Sequence, residues 1–343
     1  MGKPNMRRRQ SGAALLLALL IMTLVATLAA GMVWLQWRGI EVEAAERART
    51  QAEWLLNASL DWGNLILKSS ARGGNHIEDD LGQPWATPLE ETKLSSFLSA
   101  DGNHQDDGGP EAYLSGQITD AESKYNLYNI IFELTKFDEI NRLRIICLAV
   151  GVPGDTADTI GSGLRNSFNA QQNAAQNGQG GQSGDSILMP VQIEDLAWYG
   201  VDPKVLQQLK PFIELLPPTA GQTPALSTIN ANTAPPEVLM AALPGITRAQ
   251  AQQIILRRQA KPLASVKDIW DALGVLPGPW VNPLPAPSPQ TNQVSVLSNH
   301  FEIFGQLRYE QHVIRELSVV YRSANPFDPI KVLRRERLPP DPA

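Results

Sequence analysis

Side-chain oxygens that could bind a metal ion are concentrated in the segment DGNHQDDGGPE, residues 101–111. Carboxylate and amide oxygens are the ligands that Ca²⁺ prefers in proteins. The candidate ligands are Asp101, Asn103, Asp106, Asp107 and Glu111. The spacing differs from that of an EF-hand loop, because Gln105 stands where a third ligand belongs. Calcium is therefore the one cofactor that the sequence suggests, and a solvated acidic turn is the alternative.

Residues that carry enzymatic chemistry form no recognisable pattern. The histidines, His76, His104, His300 and His312, have no metal-ligand spacing, and no HExxH, CxxC, GxSxG or Walker pattern occurs. Nothing in the sequence places a nucleophile, a base and an oxyanion site together. The single cysteine, Cys147, lies in an apolar run and is predicted to be buried rather than reactive. We expect a protein that is not an enzyme and has no small-molecule substrate.

A turn between two helices is a second candidate site, within residues 227–275. The run Leu243-Pro244-Gly245-Ile246 predicts the turn, and Asn232 or Thr233 can cap the preceding helix, whose first turn contains prolines. The segment resembles a helix-hairpin-helix, or SAM-like, module, in which hairpin amides contact a DNA phosphate. The candidate contacts are Gly245, Ile246, Thr247 and Arg248.

Spacing and charge argue against DNA as the ligand of this hairpin. The typical hairpin has Gly-x-Gly, whereas Thr247 replaces the second glycine and restricts the approach of the amides. The basic residues that could contact phosphates are Arg248, Arg257, Arg258, Lys261 and Lys267. Glu237, Asp268 and Asp271 dilute this charge, and the whole chain has a net charge of −6. We expect no nucleic-acid partner, and DNA binding is kept as the alternative.

The amino-terminal junction determines the compartment. No charged residue occurs from Ala13 to Trp37, and at ~1.5 Å per residue this run spans ~37 Å, more than the ~30 Å hydrocarbon core of a bilayer. The basic residues that precede the run are Lys3, Arg7, Arg8 and Arg9. The positive-inside bias then leaves the amino terminus in the cytoplasm and the remaining chain on the other side of the membrane.

Two proteases could cut this junction. A secretory signal peptidase would cut after a shorter apolar core, and TLAAG at 27–31 offers small residues for that cut. The small Ser11-Gly12 step instead precedes the apolar run. A cut after Gly12 would remove only the basic leader and leave the helix in the membrane.

The leader resembles that of type IV prepilins and pseudopilins, in which a prepilin peptidase cuts after a glycine and methylates the new terminus. The resemblance places the cut between Gly12 and Ala13. The family usually has glutamate at the fifth mature position, where this chain has Leu17. A carboxylate inside the bilayer is costly unless a neighbour neutralises it, so a subunit with leucine suits the tip of a fibre. The missing glutamate and the segments ITDAESKYNLYNI and INANTAPPEVLMAALPGI are features that this chain shares with one family of minor pseudopilins. The chain therefore resembles the family called type II secretion system protein K.

The resemblance implies a minor pseudopilin at the tip of the type II secretion pseudopilus. Such a subunit initiates or caps the fibre that drives export of folded proteins across the outer membrane. The implied partners are other minor pseudopilins, the major pseudopilin, the prepilin peptidase and the bacterial inner membrane. The implied orientation has a cytoplasmic amino terminus and a periplasmic carboxy-terminal domain. The alternative is a membrane-anchored helix-hairpin-helix DNA-binding protein of the competence-receptor type.

Periodicity predicts the elements of an α+β fold. A long stem helix has a stripe formed by Ala48, Ala52, Leu55, Ser59, Trp62 and Ile66. Alternation over residues 300–323 predicts a hairpin with one buried face, formed by odd-numbered residues from Phe301 to Tyr309 and from Val313 to Tyr321. We expect the stem helix to pack on a small antiparallel sheet, with a large inserted all-α domain that contains the hairpin module.

The predicted domains follow in chain order. They are a leader (1–12), a transmembrane helix (13–37), the periplasmic stem (38–70), a pseudopilin-like α/β domain (71–125 and 291–325), an inserted helical domain (126–290) and a tail (326–343). Within the insertion, residues 166–186 are Gln, Asn, Gly and Ser with few apolar side chains, which predicts a flexible loop.

Overall fold

The computed structural model describes most of the chain in ten segments. These are residues 11–72, 77–93, 112–132, 139–176, 188–218, 226–243, 245–274, 293–309, 312–325 and 327–339. The chain forms two units, Met1–Asn57 and Ala58–Ala343. Helix α1, Ser11–Arg72, begins in the first unit.

Within the first unit, residues 13–47 of α1 are exposed on every side of the helix. Mean hydropathy reaches 2.6 in the most apolar window of this helix. A helix forms its backbone hydrogen bonds internally and can therefore lie in hydrocarbon. In the part of the chain that the structure describes, α1 is the one helix long and apolar enough to cross a membrane. This agrees with the predicted transmembrane helix over 13–37.

The second unit contains strands and helices that alternate along the chain. They are β1 (Leu89–Lys93), β2 (Ala112–Asp120), β3 (Tyr125–Asn126), α2 (Glu139–Ala149), α3 (Asp155–Gln176), α4 (Pro203–Leu209), β4 (Ile213–Glu214), β5 (Ile229–Asn230), α5 (Pro236–Ala242), α6 (Arg248–Ala260), α7 (Val266–Ala272), β6 (Val294–Ser295), β7 (His300–Tyr309), β8 (His312–Tyr321) and β9 (Lys331–Leu338). Short 3₁₀ helices occupy Pro84–Ala86, Ala121–Ser123, Leu127–Ile130 and Ile193–Tyr199.

An antiparallel sheet of five strands organises this unit, with the order β1-β2-β7-β8-β9. Strands β2 and β7 pair without a break from Ala112 opposite Tyr309 to Asp120 opposite Phe301. The chain between these two strands is the insertion, so both ends of the insertion leave from the same end of the sheet. The predicted small antiparallel sheet with a large insertion is confirmed.

The terminal part of α1 packs on the sheet in this unit. Leu60 and Leu67 are buried in one apolar cluster with Trp85, Phe301 and Val320. A Cβ atom at Gly63 would lie 3.2 Å from the Cδ1 atom of a sheet isoleucine, so glycine permits a close approach of helix and sheet. The buried face of the helix is displaced by one residue from the predicted stripe. The stripe residues that belong to this unit, Ser59, Trp62 and Ile66, are only partly buried.

The faces of the β7–β8 hairpin differ from the prediction. Phe301 pairs with Val320, and paired residues of antiparallel strands project from the same face. The face with odd-numbered β7 residues therefore continues on even-numbered β8 residues. The expectation of one buried face is also wrong, because Val319 packs on the opposite face with Ala121 and Leu216. The insertion covers that second face.

Two edge strands were not expected from the sequence. The sequence predicts a tail over 326–343, whereas β9 pairs with β8 at one edge of the sheet. At the other edge lies β1, in a region for which no strand was predicted from the sequence. Edge strands commonly carry charged residues, which obscure the alternation of apolar side chains. In β9 these charges have partners, since Arg335 pairs with Glu316 at 3.0 Å and Arg334 with Glu214 at 3.1 Å.

The insertion has its own apolar core, which is built from helices α2 to α7 and the connections between them. It is not all-α, because β3 pairs with β4 and β5 pairs with β6 in short parallel ladders. These ladders lie where the chain enters and leaves the insertion. Parallel pairing of such short segments has no sequence signal of its own, because each contributes only two residues.

The predicted loop over 166–186 is wrong for residues 166–176, which belong to α3. Residues 177–187 lie outside the described part of the chain. The helix persists because a few residues of this polar stretch contact the core. Ser167 is buried and accepts a hydrogen bond from the Tyr199 hydroxyl at 2.9 Å, and the Phe168 ring meets that of Phe132 edge to face at 5.6 Å.

Candidate functional site

The residues of the predicted processing site lie in the first turn of α1, which begins at Ser11. Ala13 is exposed, and so is Leu17 one turn further on. No acidic residue follows before Glu41, so the apolar part of the helix brings no carboxylate into a bilayer. This geometry does not test cleavage between Gly12 and Ala13, which stays a prediction.

The predicted turn between two helices is present, and it joins α5 to α6. Gly245 has a φ angle of +97°, a conformation that favours glycine. The amide of Ile246 donates to the carbonyl of Leu243 at 3.2 Å, and the Ile246 side chain is buried. Thr247 caps α6 in a capping box with Gln250. The likeness of this turn to a helix-hairpin-helix module stays a prediction.

The helix before the turn begins later than predicted. Its N-cap is Pro235, and the side chain of neither Asn232 nor Thr233 caps it. The Asn232 side chain instead donates to the carbonyl of Leu263 at 2.9 Å and accepts from the amide of the same residue at 2.9 Å. It therefore ties the start of the module to the connection between α6 and α7, because both groups of its amide are buried and need partners.

Most of the cations that could contact DNA have partners within the protein. Arg248 pairs with Glu237, and Lys267 pairs with Asp271 at 2.6 Å. Arg258 donates to the carbonyls of residues 231 and 234, both at 2.7 Å. Burial lowers the pKa of Arg258 to about 10. These contacts give no support to a phosphate-binding surface at the hairpin.

A buried polar cluster joins the insertion to the sheet, and the sequence did not predict it. The carboxylate of Asp120, at the end of β2, accepts hydrogen bonds through Oδ2 from Asn230 at 2.9 Å, Thr233 at 2.6 Å and Ser298 at 2.6 Å. Its Oδ1 accepts from the amide of Glu122 at 2.8 Å. Asn230 and Thr233 belong to the insertion, whereas Ser298 directly precedes β7, so a single carboxylate connects both.

A buried ion pair extends this cluster. Arg322, after β8, donates to Asp79 at 2.6 Å and to the carbonyl of Ser298 at 2.8 Å. Asp79 accepts from the amide of Ser298 at 2.9 Å, and its own amide donates to the carbonyl of Val296 at 2.7 Å. The Arg322 guanidinium also lies over the Phe301 ring, 4.6 Å from its centroid. The cluster thus reaches the segment that follows α1.

Burial and, next, the nearby Glu122 carboxylate raise the pKa of Asp120, its hydrogen bonds act in the opposite direction, and the net result is a pKa of about 7. A carboxyl that loses its hydration favours the neutral form unless its hydrogen bonds compensate fully. The cluster is therefore sensitive to protonation near neutral pH.

Asparagines of the segment NLYN form a second polar connection. Asn126 donates to the carbonyl of Leu216 at 3.0 Å and accepts from its amide at 3.0 Å. Asn129 does the same with Ser227, where both bonds are 3.0 Å long. Each side-chain amide replaces a backbone partner, because one group donates and the other accepts. The two asparagines hold the segments at Leu216 and Ser227, which follow β4 and precede β5, against the start of the insertion.

Four charged side chains form a third connection, between β9, β7 and the insertion. Lys124 lies 2.6 Å from Glu302 and 3.4 Å from Glu214, and Arg334 lies 3.1 Å from Glu214. Burial raises the pKa of Glu302. Burial acts in the same direction on Glu214, but the hydrogen bond with Glu302 and the charges of Lys124 and Arg334 prevail and lower its pKa to about 2.

The remaining candidate residues are the single cysteine and the predicted metal ligands. Cys147 is buried, and burial raises its pKa to about 11, as expected for an unreactive thiol. Among the described residues, no three His, Cys, Asp or Glu side chains lie together so that they could hold a metal ion. The calcium candidates, residues 101–111, lie outside the described part of the chain, so calcium binding stays a prediction.

The comparison with known proteins identifies relatives of one kind. Residues 229–284 match the family model described as type II secretion system protein K. A type II secretion system protein K from Pseudomonas aeruginosa is 26% identical over 278 residues, 77% of each chain. One from Pectobacterium carotovorum is 25% identical over 294 residues, 79% of this chain and 82% of the relative. The resemblance seen in the sequence is confirmed.

The fold is also similar to that of a solved protein. The match is to the crystal structure of the GspK-GspI-GspJ complex from the type 2 secretion system of enterotoxigenic Escherichia coli. The TM-score is 0.60 at 18% identity, and the match covers 86% of this chain and 99% of that chain. None of these matches supports a DNA receptor of the competence type.

Proposed function

We propose that this chain is a minor pseudopilin of a type II secretion system and acts as a structural subunit rather than as an enzyme. The observation that carries the proposal is the similarity to two type II secretion system proteins K over about three quarters of the chain. The fold shared with the GspK-GspI-GspJ complex structure supports it.

The subunit is proposed to enter the membrane as a precursor. The prepilin peptidase cuts between Gly12 and Ala13 and methylates Ala13, and the helix that follows anchors the mature chain in the inner membrane. The basic residues of the leader keep the amino terminus in the cytoplasm, so that the second unit lies in the periplasm. The exposed apolar surface of residues 13–37 supports this arrangement, because it would be unfavourable in water.

The partners are proposed to be other minor pseudopilins, as in the complex of GspK with GspI and GspJ, and then the major pseudopilin. Leucine at position 17 means that this subunit brings no carboxylate to neutralise the amino terminus of a neighbour. The insertion covers one face of the sheet and adds bulk to the second unit. Both features suit a subunit at the tip, with no further subunit above it.

Sequencing of the mature amino terminus tests the anchor. We expect the chain isolated from membranes to begin at methylated Ala13. Gly12→Val should block processing, whereas Gly31→Val, a matched change inside the apolar run, should leave it intact. A mature chain that begins beyond Gly31 and is found in the soluble fraction would contradict the proposal, because it would identify a secreted protein.

Assembly is tested by co-expression with the minor pseudopilins of the same system. We expect a stable complex after purification from detergent, and loss of protein secretion in a strain that lacks this chain. Leu17→Glu should be processed and inserted but should complement secretion poorly, whereas Leu17→Ile should complement fully. Normal secretion in the deletion strain would refute the proposed function.

A further inference from the structure

A cavity of about 290 Å³ opens where the insertion meets the end of β7 and β8. Aromatic rings form much of its wall. Tyr128 and Phe132 are stacked with ring centroids 6.1 Å apart, and Tyr321 lies against the His300 ring at 5.2 Å. The electron-rich faces of such rings attract cations. None of the features of the proposed function uses this cavity.

One carboxylate and one imidazole lie in the cavity wall. Glu122 Oε1 lies 2.7 Å from His300 Nδ1 and also accepts from the amide of Asn299 at 3.1 Å. Both side chains are largely buried, with 3% of Glu122 and 12% of His300 exposed. No lysine or arginine lines the cavity among the described residues. A bound anion would therefore face Glu122 without a compensating arginine or lysine.

The second nitrogen of the imidazole has no hydrogen-bond partner in the described part of the chain. Among the described residues, His300 Nε2 is the one buried side-chain nitrogen or oxygen of the cavity wall without a hydrogen bond. The side-chain amide of Asn126, in the same wall, is hydrogen-bonded to Leu216, Ser227 and Tyr128. Because Nδ1 faces a carboxylate, the neutral imidazole carries its proton there, and Nε2 is then an acceptor. In this neutral form, Nε2 can accept a hydrogen bond from a donor on another molecule.

We infer that this cavity binds an organic cation, the ammonium or guanidinium group of a basic side chain on another polypeptide. The aromatic rings contact the cation and its alkyl stem, His300 Nε2 accepts one N–H, and Glu122 provides the opposite charge behind the imidazole. A buried carboxylate and aromatic walls, with no lysine or arginine among the described lining residues, are the chemistry that recognises such groups. The inference does not depend on the proposed function.

The test is a titration of the mature chain in detergent, labelled with ¹³C at histidine Cε1. The chain contains 4 histidines, so His300→Gln assigns the signal. The probes are capped lysine and capped arginine, with cadaverine as a free diamine, capped norleucine as the neutral control and capped glutamate as the anion. We expect the His300 signal to shift saturably with lysine or arginine and not with norleucine or glutamate.

The matched variants are Glu122→Gln and Glu194→Gln. Glu122→Gln keeps the shape of the side chain but removes its charge, so affinity for capped lysine should fall by about tenfold or more. Glu194 pairs with Lys210 on the surface and does not line the cavity, so Glu194→Gln should leave affinity unchanged. Near-ultraviolet circular dichroism shows whether Glu122→Gln keeps the native fold.

Several results would overturn the inference. Equal affinity for norleucine would show an apolar cavity, and tighter binding of glutamate would show an anion site. Tighter binding of cadaverine than of the capped amino acids would identify a small-molecule site. No saturable shift with any probe would exclude a cation site in the mature chain.

Discussion

The carboxyl of Asp120 should make the stability of the protein fall as the pH rises towards neutrality. Its pKa is raised to about 7 in the folded protein from an ordinary value of 3.8. The folded protein therefore holds this proton over a pH range in which the unfolded chain has released it. The stabilisation is complete below pH 3.8 and is lost as the pH rises through about 7.

The magnitude follows from the two pKa values. One pKa unit corresponds to about 1.4 kcal/mol, so the contribution of Asp120 changes by roughly 4 kcal/mol between pH 4 and pH 8. Asp120→Asn keeps the size of the side chain but cannot titrate. Its amide also faces hydrogen-bond donors, which adds a loss of stability that does not depend on pH. The titration of the carboxyl is therefore measured by how the difference in the free energy of unfolding between the wild type and Asp120→Asn changes with pH.

The assay is urea unfolding of the mature chain in detergent at several pH values, followed by tryptophan fluorescence, to which the buried Trp85 and Trp270 contribute. We expect the free energy of unfolding of the wild type, minus that of Asp120→Asn, to decrease by several kcal/mol from pH 4 to pH 8. Thr233→Val removes a hydrogen bond that lowers the pKa of Asp120, so it should move the midpoint of the decrease to higher pH. A difference that is constant, or that grows with pH, would refute the raised pKa.

Two further changes test the packing of the insertion by the same assay. A Cβ atom at Gly163 would overlap the ring of Tyr199, so Gly163→Ala should lower the free energy of unfolding by about 1–3 kcal/mol. The control is Ser162→Ala at the exposed neighbouring position, which should change this free energy little. Equal effects of the two substitutions would disprove the overlap. Arg258→Met leaves buried carbonyls of the β5–α5 connection without a donor and should lower the free energy of unfolding by about 2–4 kcal/mol. The control, Arg257→Met at an exposed position, should lower it by less than about 0.5 kcal/mol. Similar losses in both variants would show that the Arg258 hydrogen bonds contribute nothing.

Local patterns made several elements predictable. The uncharged run after Ala13 predicts a membrane helix because length and hydropathy alone decide whether a helix fits a bilayer. The Leu243 to Ile246 turn is predictable because its glycine allows a positive φ angle. The alternation of β7 and β8 predicts two paired strands, since side chains of a strand project in turn to opposite faces.

Other elements depend on partners that lie far away in the sequence. Strand β9 reads as a charged tail until Arg334 and Arg335 find Glu214 and Glu316. The polar end of α3 reads as a loop because most of its side chains face water and only a few, such as Phe168, contact the core. The start of α5 was misplaced because Asn232 makes its hydrogen bonds to a distant connection and not to the helix that follows it.

By itself, the sequence determined the long apolar helix, the absence of an acidic residue from its apolar run and the family-like segments, because these properties are contained in short stretches of chain. Only the tertiary structure decided that Asp79, Asp120, Asn230, Ser298 and Arg322 meet in one buried cluster. Arg322 and Asp79 are separated by 243 residues along the chain, and no spacing relates them. They meet because buried polar groups must find partners, and only the folded arrangement of the sheet and the insertion determines which partners are near.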